Sequence, residues 1–239
     1  MERNNNEENI APVIKSKGLS VKGIIQVLIN PTTFFKALKD NPKILIPYLA
    51  IAVFVFIFMF TMSDLILQAQ IDSPQFQKQM QGQQMTPQMM TMIKYNIVIG
   101  GTLAMLLAPL LAAALALFWG NFVFAGQARF KQILSVILYG EIIFAIGLLV
   151  HIPLMLAKGS VLVSLSLAVL AANMGPESFL YVALSKVSLF LIWELIAIGI
   201  GLSILYDVPR NKGYVYSLLS VGMLSILHVV FTGIAQLIF

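Results

Sequence analysis

Five long apolar stretches dominate this 239-residue chain and limit the folds that are open to it. Each is close to, or longer than, the roughly 20 residues that a helix needs to cross a bilayer core, and none alternates as a barrel strand would. Hydrophobic residues make up 59% of the chain and charged residues only 10%, whereas about 25% of a soluble domain is charged. We therefore expect an all-α polytopic membrane protein with five transmembrane helices, over about 44–62, 95–124, 133–156, 179–206 and 214–239.

The residues before the first span divide into two parts. Residues 1–17 are polar, which predicts a disordered cytosolic tail rather than a signal peptide. From Gly18 to Leu38 apolar residues recur at helical spacing, close to the basic residues Lys15, Lys17 and Lys22. This pattern predicts an amphipathic interfacial helix, held by apolar contact and by anionic headgroups. Residues 18–239 are then one five-span membrane domain.

Basic residues lie mostly on one side of the predicted spans. Eleven Lys and Arg residues precede the first span or follow the second and fourth, and three lie on the other side. Cytoplasmic loops carry such an excess, so we expect a cytoplasmic N-terminus and an extracytoplasmic C-terminus. The apolar segment Val161–Ala172 has only 12 residues, which favours a re-entrant or interfacial segment over a sixth span.

Ionisable residues within the spans are costly in a bilayer and are therefore functional candidates. The helical rise places Glu141 about 12 Å and Glu194 about 18 Å from the cytoplasmic ends of spans three and four. It places His228 near mid-depth in span five, and His151 and Lys186 in the outer half. Three interpretations remain open: polar contacts that lock helices together, a site for protons or a divalent cation, and a site for lipid headgroups.

Small residues recur every four positions in the second span, and a shorter repeat occurs in the fourth. Such residues allow transmembrane helices to approach closely, so we expect these positions to form packing faces. The residues are Gly100, Ala104, Ala108 and Ala112 in the second span, and Ala197 and Gly201 in the fourth.

Motifs typical of catalysis or of cofactor binding do not occur in the sequence. It has no cysteine, no Gly-x-Gly-x-x-Gly or P-loop, no His-Glu-x-x-His and no Gly-x-Ser-x-Gly. The methionines between 80 and 92 are irregularly spaced, which favours a surface helix over a copper site. We expect no enzyme activity, no cofactor and no bound metal.

Two cytosolic motifs resemble those of Yip-domain membrane proteins. The stretch 30–38 is similar to the lead-in Pro-x-x-x-Phe-x-x-Leu, and Asn41-Pro42 then enters span one. The stretch 126–139 is similar to the family's entry to span three, Gly-Gly-x-x-x-Phe-x-x-Leu-x-x-x-x-Tyr. Trp193, Gly199 and Gly201 in span four, and a Tyr-rich start to span five, complete the resemblance over about residues 18–239.

The resemblance implies five spans and a cytosolic N-terminus. Eukaryotic members act at Golgi and endoplasmic-reticulum membranes, with Rab-type GTPases and with each other as partners. This chain lacks the long N-terminal region and the Asp-Leu-Tyr motif of many of them, which makes small GTPase binding doubtful. It resembles the short prokaryotic branch, which implies the cytoplasmic membrane of a prokaryote.

The sequence therefore predicts a non-enzymatic integral membrane protein that scaffolds partners or organises the membrane, through helix packing and its basic interfacial helix. The alternative is a small transporter or channel for protons or divalent cations that uses the intramembrane carboxylates and histidines. The lipid bilayer is the first expected partner, and further copies of the chain or other membrane proteins are candidates. The low charge excludes nucleic acid.

Overall fold

A computed structural model describes residues 21–80, 82–161, 163, 165–175 and 178–238, without the side chains of 21, 22, 75 and 232–238. The predicted tail 1–17, with Lys15 and Lys17, and the Lys22 side chain lie outside this description. The described residues form helices and no strand. The α-helices are α1 (Val21–Ile29), α2 (Pro31–Lys39), α3 (Leu45–Ile71), α4 (Pro74–Met80), α5 (Pro87–Tyr95), α6 (Gly101–Leu117), α7 (Phe130–Lys158), α8 (Phe179–Ser185), α9 (Leu189–Leu205), α10 (Arg210–Ser217) and α11 (Met223–Ile238).

Three π-helical turns join or extend these helices. Asn96–Gly100 connects α5 to α6, Phe118–Val123 extends α6, and Leu218–Gly222 connects α10 to α11. As a result, α5 and α6 form one continuous helix over Pro87–Val123. A third type of element, a 3-10 helix over Leu167–Met174, precedes α8.

Four helices are long and apolar enough to cross a membrane. They are Leu45–Ile71, Pro87–Val123, Phe130–Lys158 and Arg210–Phe231. The fifth apolar helix, α9, has 17 residues and is therefore about 26 Å long. These helices confirm the prediction of an all-α polytopic membrane protein.

The fourth apolar stretch, predicted as a single span over 179–206, is divided into α8 and α9. The break lies at Lys186, Val187 and Ser188. The Ser188 hydroxyl caps α9 by accepting the Leu191 N–H at 3.1 Å, and the Val187 carbonyl accepts the Leu167 N–H at 3.0 Å. Because the partner of Val187 comes from a distant loop, hydropathy along the sequence does not reveal the break.

The apolar segment expected to be re-entrant or interfacial packs with α8 at one end of the bundle. Its 3-10 helix is kinked at Ala171; Ala168 and Ala171 are buried, whereas Val169 and Leu170 are exposed. We call this 3-10 helix and α8 the cap, and the end of the bundle where they lie the cap end. The opposite end, where α1 and α2 lie, is the hairpin end.

The core of the bundle is the contact between α7 and α9. Ile137, Ile143, Ile198 and Leu202 are fully buried there. Glycine occurs where a side chain of the other helix occupies the space that a Cβ would need. At Gly140 of α7, the Ile198 side chain of α9 occupies that space. Around this pair lie α3, α6 and α10, and the N-terminal half of α7, over residues 133–143, is almost entirely buried.

Candidate functional site

A cavity of about 300 Å³ lies among five helices in the bundle. It contains four of the five ionisable residues that the sequence singles out: Glu141, Lys186, Glu194 and His228. The remaining wall is almost entirely apolar. It is formed by Ile51, Phe54, Val55, Met105, Ala108, Ala112, Phe144, Ala145, Leu148, Leu191, Val221, Leu224 and the single hydroxyl of Ser225.

The two carboxylates of this cavity are differently enclosed. Glu194 is only 2% exposed, whereas Glu141 is half-buried. The two groups interact electrostatically across the cavity. Within the described residues, neither carboxylate accepts a hydrogen bond or forms an ion pair. The cavity therefore presents carboxylate oxygens whose usual donors are missing from the described protein.

Helical spacing explains how α7 and α9 line the cavity. On α7, Glu141, Ala145 and Leu148 follow at intervals of four and three residues, so they share one face. On α9, Leu191 and Glu194 are three residues apart. These two faces are readable from the sequence once α7 and α9 are known to be neighbours.

A π-helical turn determines which face of α11 reaches the cavity. Val221 lies within the turn Leu218–Gly222, and Leu224, Ser225 and His228 follow it. A π-helical turn inserts an additional residue and so rotates every later side chain about the helix axis. His228 therefore reaches the cavity on a face that ordinary helical periodicity counted from α10 does not predict.

The break between α8 and α9 positions Lys186. This residue is the C-cap of α8 and lines the cavity from the cap end. Its side chain is half-buried, and no ion pair joins it to a carboxylate in the described part of the chain. In a continuous helix over 179–206, helical periodicity would have set the direction of the Lys186 side chain instead.

His151 lies beside this cavity and not in it. It lines a neighbouring space of about 420 Å³ that shares Lys186. Its Nδ1 lies 2.7 Å from the Gly147 carbonyl oxygen, and its Nε2 accepts the Leu165 N–H at 3.1 Å. These two contacts fit a neutral ring with the proton on Nδ1. His151 thus ties the loop before the 3-10 helix to α7.

The side chains of the cavity limit which ligands it can hold. Among the described residues, no group of three His, Asp or Glu side chains is close enough to hold a metal. Two carboxylates that face each other can share a proton, or can accept hydrogen bonds from a cationic group.

The predicted interfacial helix is a hairpin of two helices, α1 and α2, that packs on the bundle. Asn30 caps α2 through its side chain, with Pro31 at the first helical position. Phe35 and Leu38 are 1% and 2% exposed. Phe34 packs edge-on against Tyr139 of α7, with ring centroids 4.7 Å apart. Ile25 and Ile29 remain exposed on α1.

Polar contacts fasten this hairpin to segments that are distant in the sequence. Lys39 Nζ pairs with Asp207 at 2.7 Å. The Gln132 side chain donates to the Lys39 carbonyl at 3.0 Å, and the Ser135 hydroxyl donates to the Lys43 carbonyl at 2.7 Å. The Arg210 guanidinium donates to the Thr32 hydroxyl at 3.1 Å.

The small residues predicted to form packing faces lie in two environments. Ala112, Ala197 and Gly201 are buried between helices, and Ala108 is half-buried at the cavity. Gly100 and Ala104 are exposed. Sequence reasoning missed Gly213, whose backbone touches Gly199 so closely that a methyl group would overlap the Gly199 carbonyl.

The long apolar helices and the hairpin that closes one end of the bundle define a polytopic helical membrane protein. A family model, the Yip1 domain, matches residues 25–232. The chain therefore belongs to the Yip1 domain family. Comparison with curated proteins and with solved structures gave no match. The matched residues include both motifs, at 30–38 and 126–139, and the Phe34–Tyr139 contact joins one motif to the other.

Proposed function

We propose that this protein is a non-enzymatic membrane scaffold, which organises the bilayer and other membrane proteins through the face of its hairpin. The observation that carries the proposal is the fastening of α2 to α7, α9 and the 207–210 segment, with α1 packed against α2 and α7. Because the hairpin is held at several points, Ile25 and Ile29 are presented on a fixed surface. An apolar face beside basic residues is suited to the interface of an anionic membrane.

We also propose that the hairpin end faces the cytoplasm. Its exposed cations include Lys36, Arg129, Lys131, Arg210 and Lys212, and cytoplasmic loops are enriched in such residues. With five crossings, the C-terminus is then extracytoplasmic.

Introduced cysteines test this orientation, since the chain has none of its own. In intact spheroplasts, a membrane-impermeant maleimide should label Asp72→Cys, at the far end of α3, and should not label Asn211→Cys. After the membrane is permeabilised, both should react, because both side chains are exposed. Labelling of Asn211→Cys alone in the intact cells would reverse the proposed orientation.

Energy transfer between labelled copies tests the scaffold. Wild-type protein carrying Asn211→Cys should cluster in anionic liposomes, as measured by transfer between donor- and acceptor-labelled molecules. Ile25→Glu with Ile29→Glu should abolish most of the clustering, because charged side chains at these positions remove the apolar face by which α1 contacts the membrane interface. Ile25→Leu with Ile29→Leu is the matched control and should cluster like wild type. If the wild-type protein stays dispersed, the scaffold proposal fails.

A second candidate function, a path for protons, is supported by the polar cavity. Glu141 and Glu194 face one enclosed space within the bundle, and ionisable residues in this position are typical of proton relays. The absence of a three-ligand group among the described side chains does not favour the divalent-cation version of this function.

A further inference from the structure

Among the residues that the structure describes, none donates a hydrogen bond to the buried carboxylate of Glu194. It is 98% buried, and no described residue donates to it or pairs with it. An ionised carboxylate accepts hydrogen bonds through two oxygens, and burying it without donors is costly. Glu141 adds a second acceptor group to the same cavity. Lys186, Ser225 and His228 also line the cavity, but no described residue donates to Glu194 or pairs with it. The carboxylate, rather than the whole cavity, is therefore the group without a partner among the described residues.

A primary ammonium group supplies what is missing. It carries one positive charge and three N–H donors, so it can bond to both carboxylates at once. A quaternary ammonium has the charge without the donors. A metal ion would need more ligands than the described side chains offer.

The rest of the cavity is suited to an apolar body attached to that ammonium group. Its volume of about 300 Å³ is at the lower end of the range for small-molecule pockets. Phe54 and Phe144 line it, and aromatic faces attract cations. His228 is both exposed and part of the lining, so the cavity opens to the surface of the bundle beside α11.

We propose that this cavity binds an amphiphile with a primary ammonium group, with the ammonium between Glu141 and Glu194 and the apolar part against Phe54 and Phe144. The amphiphile is either a free alkylamine or the headgroup end of an aminophospholipid. This inference goes beyond the scaffold and requires no flux across the membrane.

Three probes of equal chain length test the chemistry on the full-length protein in phosphatidylcholine nanodiscs. They are dodecylamine, dodecyltrimethylammonium and dodecanol, each titrated against tryptophan fluorescence, with empty nanodiscs as the correction for partitioning. Trp193 is next to Glu194 in the sequence. We expect dodecylamine to bind at least about tenfold more tightly than the other two, since charge-assisted hydrogen bonds are lost in both. Equal affinity for the amine and the trimethylammonium compound would overturn the proposal, as would equal affinity for dodecanol.

Variants locate the site. Glu194→Gln and Glu141→Gln should each weaken dodecylamine binding at least about tenfold. Asp72→Asn removes an exposed carboxylate at the far end of α3 and should leave the affinity unchanged. If Glu194→Gln does not fold, the Glu141→Gln variant and the three probes on the wild-type protein still test whether the amine binds in this cavity. Unchanged binding in Glu141→Gln would place the amine elsewhere and overturn the proposal.

Lipid composition distinguishes the two sources of the amine. In phosphatidylethanolamine nanodiscs, a headgroup that occupies the site competes and lowers the apparent affinity for dodecylamine. An unchanged affinity assigns the site to a free amphiphilic amine. Both results support the proposal provided that the selectivity for the primary amine persists.

Discussion

Replacing Phe35 by alanine is expected to release the hairpin from the bundle. Phe35 is 1% exposed and packs against Gly201 of α9. Removing a buried phenylalanine side chain costs about 3–5 kcal/mol, and much of the apolar contact between α2 and α9 goes with it. The variant should melt at a lower temperature in detergent. Trypsin should also cut it faster at Lys36, Lys39 and Lys43, because the backbone at these sites is no longer held in a packed helix once the hairpin detaches.

The matched control is Phe122→Ala, because Phe122 is 77% exposed on the outside of α6's π-helical extension. It should melt like the wild type and be cut at the same rate. Equal proteolysis of wild-type and Phe35→Ala protein would mean that the hairpin is held by its polar contacts alone.

The double variant Glu141→Gln with Glu194→Gln is expected to be more stable than the wild type. Both carboxylates face one cavity, where two negative charges would repel each other. The amide keeps the shape and can donate as well as accept, so the cost of enclosing two like charges disappears. Replacing buried ion pairs by apolar residues has raised stability by about 1–4 kcal/mol in other proteins. Because an amide is still polar, we expect a gain at the lower end, about 1 kcal/mol, measured as a raised melting temperature.

The same variant separates the two proposed functions. Under the scaffold proposal, liposomes that contain either wild type or double variant should show no proton flux in response to an imposed pH gradient. A flux carried by the wild type and abolished by the folded double variant would establish the second candidate instead. Asp72→Asn, which changes a carboxylate outside the bundle, serves as the control and should behave like wild type in both assays.

Much of the architecture could be read from local properties of the sequence. Apolar length predicts a membrane-spanning helix wherever it occurs, because lipid forces the backbone to satisfy its own hydrogen bonds. The constant rise of a helix also placed Glu141 and Glu194 at neighbouring depths before any helix contact was known. The start of α2 at Asn30-Pro31 is local for a similar reason, since a cap and a first-turn proline act within one turn.

Other features depend on residues that meet only after folding. Hydropathy gives no sign of the break at Lys186–Ser188, because the Val187 carbonyl is bonded to the distant Leu167. Hydropathy also does not predict the position of His151. Its ring accepts a hydrogen bond from Leu165, and it lies outside the cavity that contains Glu194.

The sequence by itself determined that the chain crosses a membrane as helices, and roughly which residues do so, since helix formation in lipid depends on neighbouring residues. Only the tertiary structure decided that the hairpin packs on the bundle. Its contacts join Lys39 to Asp207 and Lys43 to Ser135, pairs that are 168 and 92 residues apart. Which distant residues become neighbours depends on the fit of whole helix surfaces, as at Gly201 and Phe35, and no local pattern encodes that fit.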